Sequence, residues 1–433
     1  MDSYFKGRGV ILVKKGVIVA VGILLMAIFA FSAPKIVLNM VQVFTSPSRT
    51  EILQNIIDQF EALHPDVQIN LISPPYSTAY QKIYLMLSTN QPLDIVEVGD
   101  WSLEGVVELG KLVDLRPYIA TWDASKDIVP GLMKAVSVTG GIPYIIPNGV
   151  YAKALFYRPD VLAKCGITTP PKTMDELYAD SLKITDPKKN QYGFDFRGTG
   201  LPTNFIDIIT TSYINDIDPN NMYKLTNGQL WFKDPRALEG LKKYIDFYKY
   251  TAPKDSINWG FDEQVNAFVA GTTPFLFQDP DTTGLLNTML KPDQWMTAPL
   301  PIGPSGKVYP SYGFGGWGIT TYSKNKDMAW EFIKFFTTPK ISAYFCKDYG
   351  ALPVLKSVYD SDPYFSQGVF KAWQYMFEHP DTYVFTSYPL NNKKWTEWNE
   401  YQQDTMQQVL LGNMTPQEAL NKWYDFWKDA FSM

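Results

Sequence analysis

Two cysteines and two histidines in 433 residues exclude more functions than they suggest. Cys165 and Cys346 are too few to make a disulfide scaffold. His64 and His379 each precede a proline and read as turn or helix-end residues. A Ser-His-Asp triad and a histidine-rich metal site therefore have no support. Neither a GxGxxG nor a phosphate-loop pattern occurs. Asp216-x-Asp218-x-Asn220 opens like a calcium loop but lacks the glycine at the sixth position and the carboxylate at the twelfth. No Lys/Arg run interrupts the globular part, so nucleic acid is not an expected partner. No metal and no cofactor is expected. Internal repeats and low-complexity segments are missing as well.

What remains is apolar and aromatic. The chain is 45% hydrophobic and 15% aromatic, with 12 Trp and 27 Tyr, and carries a net charge of −5. Its length implies two domains. Such aromatic richness points to recognition of flat or amphipathic ligands, or to a core built from rings. At the N-terminus, Lys6, Arg8, Lys14 and Lys15 precede Gly16 to Ala33, which holds no charge over 18 residues. That length suits an uncleaved membrane anchor, with a cleaved signal segment as the alternative. The preceding basic residues keep the N-terminal side in the cytoplasm and send the rest across the membrane.

After this segment, the apolar run from Ile36 to Phe44 reads as a strand. Ser48 with Glu51 suggests a capping box for a helix carrying Ile52, Leu53, Ile56, Ile57 and Phe60. Val67, Ile69 and Leu71 alternate as a strand. Tyr80, Ile83, Tyr84 and Leu87 mark a second helix, and Leu93 to Val98 a third strand. Strands joined through helices run parallel, and ligands of such sheets sit beyond the carboxyl ends of the strands. Three loops should share that rim: Thr45 to Ser48, Ser73 to Tyr76, and Gly99 to Trp101. They supply Ser46, Ser48, Asp100 and Trp101 as candidate ligand groups. Arg49 is the one cation near these rims, so a strongly anionic ligand is disfavoured.

A second domain is expected from about Val150, where an extended apolar stretch leads to a Pro-rich turn and a capped helix at Thr173. Glycines and Trp317 within Ser311 to Leu355 have the character of a binding surface, because glycine lets backbone approach a ligand closely. Asp279 and Asp281 flank Pro280, and Asp100 stands beside Trp101. Paired carboxylates cut glycosidic bonds, but they also accept hydrogen bonds from ligand hydroxyls; the sequence leaves both open.

Gly140 to Thr185 resembles the lobe crossover of the extracellular solute-binding proteins of ABC transporters, in the carbohydrate-binding branch related to maltodextrin-binding protein. The shared features are Gly-Gly-Ile-Pro at Gly140, a strand ending in Tyr157-Arg158-Pro159-Asp160, Cys165-Gly166 in place of Ala-Gly, and Pro170-Pro171-Lys172-Thr173-Met174-Asp175-Glu176-Leu177 with Met174 replacing a tryptophan. Val265 to Asp281, Ala298 to Gly306, Ser311 to Leu355 and Thr415 to Leu420 resemble further family stretches in the same order. Together they span nearly all of residues 36 to 430. Phe44 stands near where the family usually has a tryptophan.

The resemblance implies an α/β fold of two lobes with a hinge, preceded by the anchor or signal segment at 1–35. It divides the chain into a first lobe of 36–149 and 307–355 and a second of 150–306 and 356–433. With Cys165 and Cys346 on different lobes, both should be free thiols. It further implies a non-catalytic monomer on the extracytoplasmic side, binding an oligosaccharide and delivering it to ABC permease subunits. A peptide, polyamine or organic acid is the alternative ligand, and a carbohydrate-cleaving enzyme the alternative activity. Residue by residue, it places ligand contacts at Asp100, Trp101, Tyr151, Asp279, Asp281, Gly315, Gly316 and Trp317, and at Asn399 or its neighbour Trp398. Trp259 and Trp395 join them on composition alone.

Overall fold

A computed structural model describes residues 36–137 and 140–432. The segment Gly16 to Ala33, expected to be an anchor, lies outside the described residues. Among the described residues no helix is long and apolar enough to cross a membrane.

The expected β-α-β-α-β order is present: β1 (Ile36–Val41), α1 (Pro47–Leu63), β2 (Val67–Ile72), α2 (Tyr76–Ser88) and β3 (Ile95–Gly99). β1 pairs in parallel with both β2 and β3, setting Leu38 opposite Ile69 and Met40 opposite Ile95. Helix α1 buries Ile52, Leu53, Ile56, Ile57 and Phe60, the stripe read from its spacing. Its start differs from the expected Ser48–Glu51 box. Ser46 is the cap, accepting from the Arg49 N–H, and Pro47 opens the helix. Proline suits that position, where its missing N–H would have no intrahelical partner. The short α3 (Leu103–Glu108) follows.

The chain changes sheets through a single residue. β4 (Ile146–Ala152) belongs to the first sheet and β5 (Ala154–Tyr157) to a second, with Lys153 between them. Beyond lie α4 (Met174–Ile184), α5 (Thr203–Thr211), β6 (Phe275–Gln278), α6 (Thr282–Met289) and β7 (Met296–Ala298). Thr173 and Glu176 form a full capping box on α4. The second sheet has the order β6-β5-β7. The chain then returns through β8 (Tyr312–Ile319), α7 (Lys326–Phe336) and α8 (Pro339–Tyr349), and ends with α9 (Trp395–Leu410) and α10 (Pro416–Ala430). β8 inserts antiparallel between β3 and β4, giving a first sheet of order β2-β1-β3-β8-β4. Sheets of this connectivity, one on each side of a thin crossover, give two lobes.

Seven of the twelve tryptophans are among the most deeply buried large side chains. The aromatic excess is therefore mostly packing. One cluster joins Tyr223, Trp231, Phe232, Trp398 and Trp427. Cys346 is buried, Cys165 is half-buried, and both are free thiols, as expected.

Candidate functional site

The parallel strands deliver the rim that their order implied. β3 ends at Gly99, and Asp100–Ser102 follow as a tight helical turn. The Trp101 ring folds back over Gly99 so closely that any Cβ there would collide with it. It also meets Phe44 edge-on, with centroids 5.1 Å apart. Phe44 thus adds an aromatic surface beside the rim. The Asp100 carboxylate lies over Gly313 of β8, where a Cβ would stand 3.3 Å from Oδ1.

The second lobe brings the other carboxylates. Asp279 and Asp281 follow β6, at the mouth of the crossover. Asp279 Oδ2 accepts from Lys153 Nζ at 2.7 Å. Asp281 Oδ2 accepts from the Tyr349 hydroxyl at 3.2 Å, while its buried Oδ1 has no partner. Arg197 donates to the carbonyls of Thr199 and Gly200. Its guanidinium and the Lys153 ammonium both stand over the Phe205 ring, at 5.5 and 4.8 Å.

These groups from two lobes feel one another. Burial pushes the Asp100 carboxyl up to about 7; backbone N–H groups of Phe314 and Trp101 work against the rise, and the Asp279 charge adds to it. Burial, then Asp279, raises Asp281 to about 6, with Lys153 and Tyr349 opposing. Tyr76, at the start of α2, is raised first by burial, then by Asp281, Asp279 and Asp100, with Arg197 opposing. One crevice therefore holds Tyr76, Asp100 and Trp101 from one side and Asp279, Asp281 and Arg197 from the other. It can offer acceptors to ligand hydroxyls and ring faces to apolar C–H groups.

Several expected contacts lie elsewhere. Trp317 is fully buried and packs against Phe336 of α7 at 5.7 Å, on a strand that pairs with β3 in unbroken register from Gly315 to Ile319; the extra residue of the irregularity beside it is Asn148 of β4. Gly315 and Gly316 do not open backbone to a ligand. A Cβ on Gly315 would strike Phe44 and Asn148, and one on Gly316 would strike Ile145 and the Ile146 carbonyl. Both are glycines because the sheet packs tightly there. Gly313, two residues earlier, is the glycine that faces the crevice.

Tyr151 is buried beneath Phe44, with centroids 5.1 Å apart, rather than open beside it. Ser46 is committed to its cap, and Ser48 is exposed next to it. Trp398 is fully buried, its Nε1 donating to the Tyr223 hydroxyl at 2.6 Å. Asn399 accepts from Thr203 and donates to the Trp395 carbonyl. Trp395 is buried against Tyr388 at 4.7 Å. Trp259 lines a separate recess with Asn190, Asp255 and Glu263. Arg49 is not a ligand clamp. It is fully buried, ion-paired with Glu97, and surrounded by the rings of Phe44, Phe345 and Tyr349 at 5.0–5.5 Å.

Residues 46–343 match the family model described as bacterial extracellular solute-binding protein. The chain belongs to that family. Its activity is solute binding, not catalysis, and membership places the protein on the extracytoplasmic side. A putative binding protein of Brucella abortus is 26% identical to this solute-binding protein over 369 residues, covering 83% of this chain and 85% of its own. A maltotriose-binding protein of Pyrococcus abyssi is 27% identical, covering 72% and 65%. The maltose-bound structure of T. maritima MalE3 superposes with a TM-score of 0.76 at 23% identity, covering 90% of this chain and all of that one. The last likeness carries the two-lobed fold alone.

Lys153, Arg197 and Phe205 were not foreseen as site groups. Lys153 had a signal in its position between two strands of the crossover. Arg197 and Phe205 had none, since their loop and helix meet the crevice only through tertiary packing.

Proposed function

We propose that this solute-binding protein is the receptor component of an ABC sugar importer. It holds an oligosaccharide between its lobes and presents the closed complex to membrane permease subunits. The observation that carries the reading is the pairing of Asp100 and Trp101 on one lobe with Asp279 and Asp281 on the other. A sugar ring has apolar C–H faces that suit Trp101 and Tyr76, and hydroxyls that suit carboxylates. A buried acceptor left unpaired costs about 1–3 kcal/mol, so matched hydroxyls give specificity. The maltotriose of one relative and the maltose of one structural neighbour support a saccharide of this kind.

The lobes are 36–152 with 307–355 and 154–306 with 356–433, turning about Lys153 as a hinge; the boundary expected at Val150 moves to Lys153 because β4 runs to Ala152 within the first sheet. The protein acts as a monomer, held at the membrane by residues 16–33. Titration with malto-oligosaccharides, followed by tryptophan fluorescence, tests the reading. Saturable binding at micromolar or tighter affinity, with no cleavage products, is the expected outcome. Release of shorter saccharides would instead favour an enzyme.

A further inference from the structure

Asp207, on α5, is fully buried and has no ion-pair partner among the described residues. Its carboxylate is held by three donors from three other parts of the chain. The hydroxyls of Tyr223 and Tyr388 donate to Oδ2 at 3.0 and 3.1 Å, and Gln402 Nε2 donates to Oδ1 at 3.1 Å. Tyr223 is itself fixed by Trp398 Nε1. An unpaired buried carboxylate is costly to keep, and an apolar residue would serve packing alone equally well.

What the carboxylate holds is informative. Tyr388 is half-buried and stands beside Trp395, with ring centroids 4.7 Å apart. Two residues before it, Thr386 forms a parallel backbone bridge with Ser311, and the Asp100 charge acts on the Tyr388 hydroxyl. Ser311 directly precedes β8, on the path back to the first sheet, and donates to Asn204 Oδ1 at 2.8 Å. Helix α9, which Trp395 begins, packs on the Asp100–Ser102 turn. Tyr388 thus lies where the second lobe, the returning strand and the Asp100 rim come together.

We propose that Asp207 is a positioning residue of the ligand crevice, aiming Tyr388 so that its ring completes the wall opposite Asp100 and Trp101. This rests on the sugar-receptor reading above. Asp207 touches no ligand and acts only through the hydroxyl it anchors.

The test is calorimetric titration of maltotriose into the full protein and into D207A, D207N, Y388F and the D207A/Y388F double variant. The D207N amide oxygen can accept from both tyrosines. Its nitrogen can donate to Gln402 Oε1, which has no partner now, once that amide flips. D207A and Y388F should each bind about tenfold more weakly, the scale of one lost hydrogen bond. The double variant should be no weaker than either single, because both changes break one link. D207N should recover most of the affinity. Multiplying effects in the double variant, normal binding by D207A, or no recovery in D207N would each overturn the inference. If the unmodified protein binds no saccharide, the receptor reading itself falls and takes this inference with it.

Discussion

Trp101 and Trp317 make the contrast that matters most at the scale of single residues. Both stand beside glycines at a sheet, and both read as ligand-facing in the sequence. Trp101 follows the carboxyl end of a parallel strand, so topology alone puts it on the rim. Trp317 lies inside β8, paired between β3 and β4, and its ring packs on Phe336 of α7; glycines beside it do not tell a close-packed sheet from an open binding surface. Trp101→Ala should weaken saccharide binding at least about tenfold with little change in stability. Trp317→Ala should lower stability by about 3–5 kcal/mol, seen in chemical unfolding, while folded protein still binds. The carboxylates add a pH signature. Asp100 near 7 and Asp281 near 6 accept ligand hydroxyls fully only when ionised. Affinity should therefore fall as pH drops through about 7 and 6. Ligand-free stability should run the other way. These groups keep protons in the folded state where the unfolded chain, at 3.8, has lost them, so their contribution declines as pH rises from about 4 to 7. Titrations and melts across this range check both signs.

Individual elements show which parts of the fold were legible. The β-α-β-α-β order, the apolar stripe of α1 and the cap of α4 follow from periodicity and local chemistry, and all are present. The start of α1 was misplaced because two serines two residues apart offer the same side chain, and the proline between them fits only one register. Arg49 illustrates the opposite limit. In the sequence it is the one cation near the rims, yet the helix turns it inward to Glu97, which sits 48 residues away on β3. Substituting Arg49→Met should cost about 3–5 kcal/mol in denaturant unfolding, since it strands Glu97 without its partner. Between elements, Lys393 just before α9 pairs with Glu108 at the end of α3, at 2.7 Å, with both side chains well exposed. Lys393→Ala should change saccharide affinity by no more than about fivefold at low salt and not at all at high salt. A binding series at two ionic strengths reads this directly.

Taken whole, the molecule is two sheets joined by a crossover in which one residue, Lys153, separates the strands. That residue also pairs with Asp279 at 2.7 Å, which ties the crossover to the loop after β6. Asp100, Trp101, Asp279 and Asp281, to which the resemblance pointed, are legible because they directly follow the strands β3 and β6. Tyr388 and Arg197 carry no such signal, because both lie in irregular segments whose place depends on how distant parts of the chain dock. The central claim is that a saccharide binds between the lobes on Asp100 and Trp101 from one side and Asp279 and Asp281 from the other. Calorimetric titration of maltotriose into the unmodified protein and into Trp101→Ala tests it most directly. The account predicts saturable one-to-one binding at micromolar or tighter affinity, lost or severely weakened in the variant. Equal binding by both proteins would place the site elsewhere and contradict it.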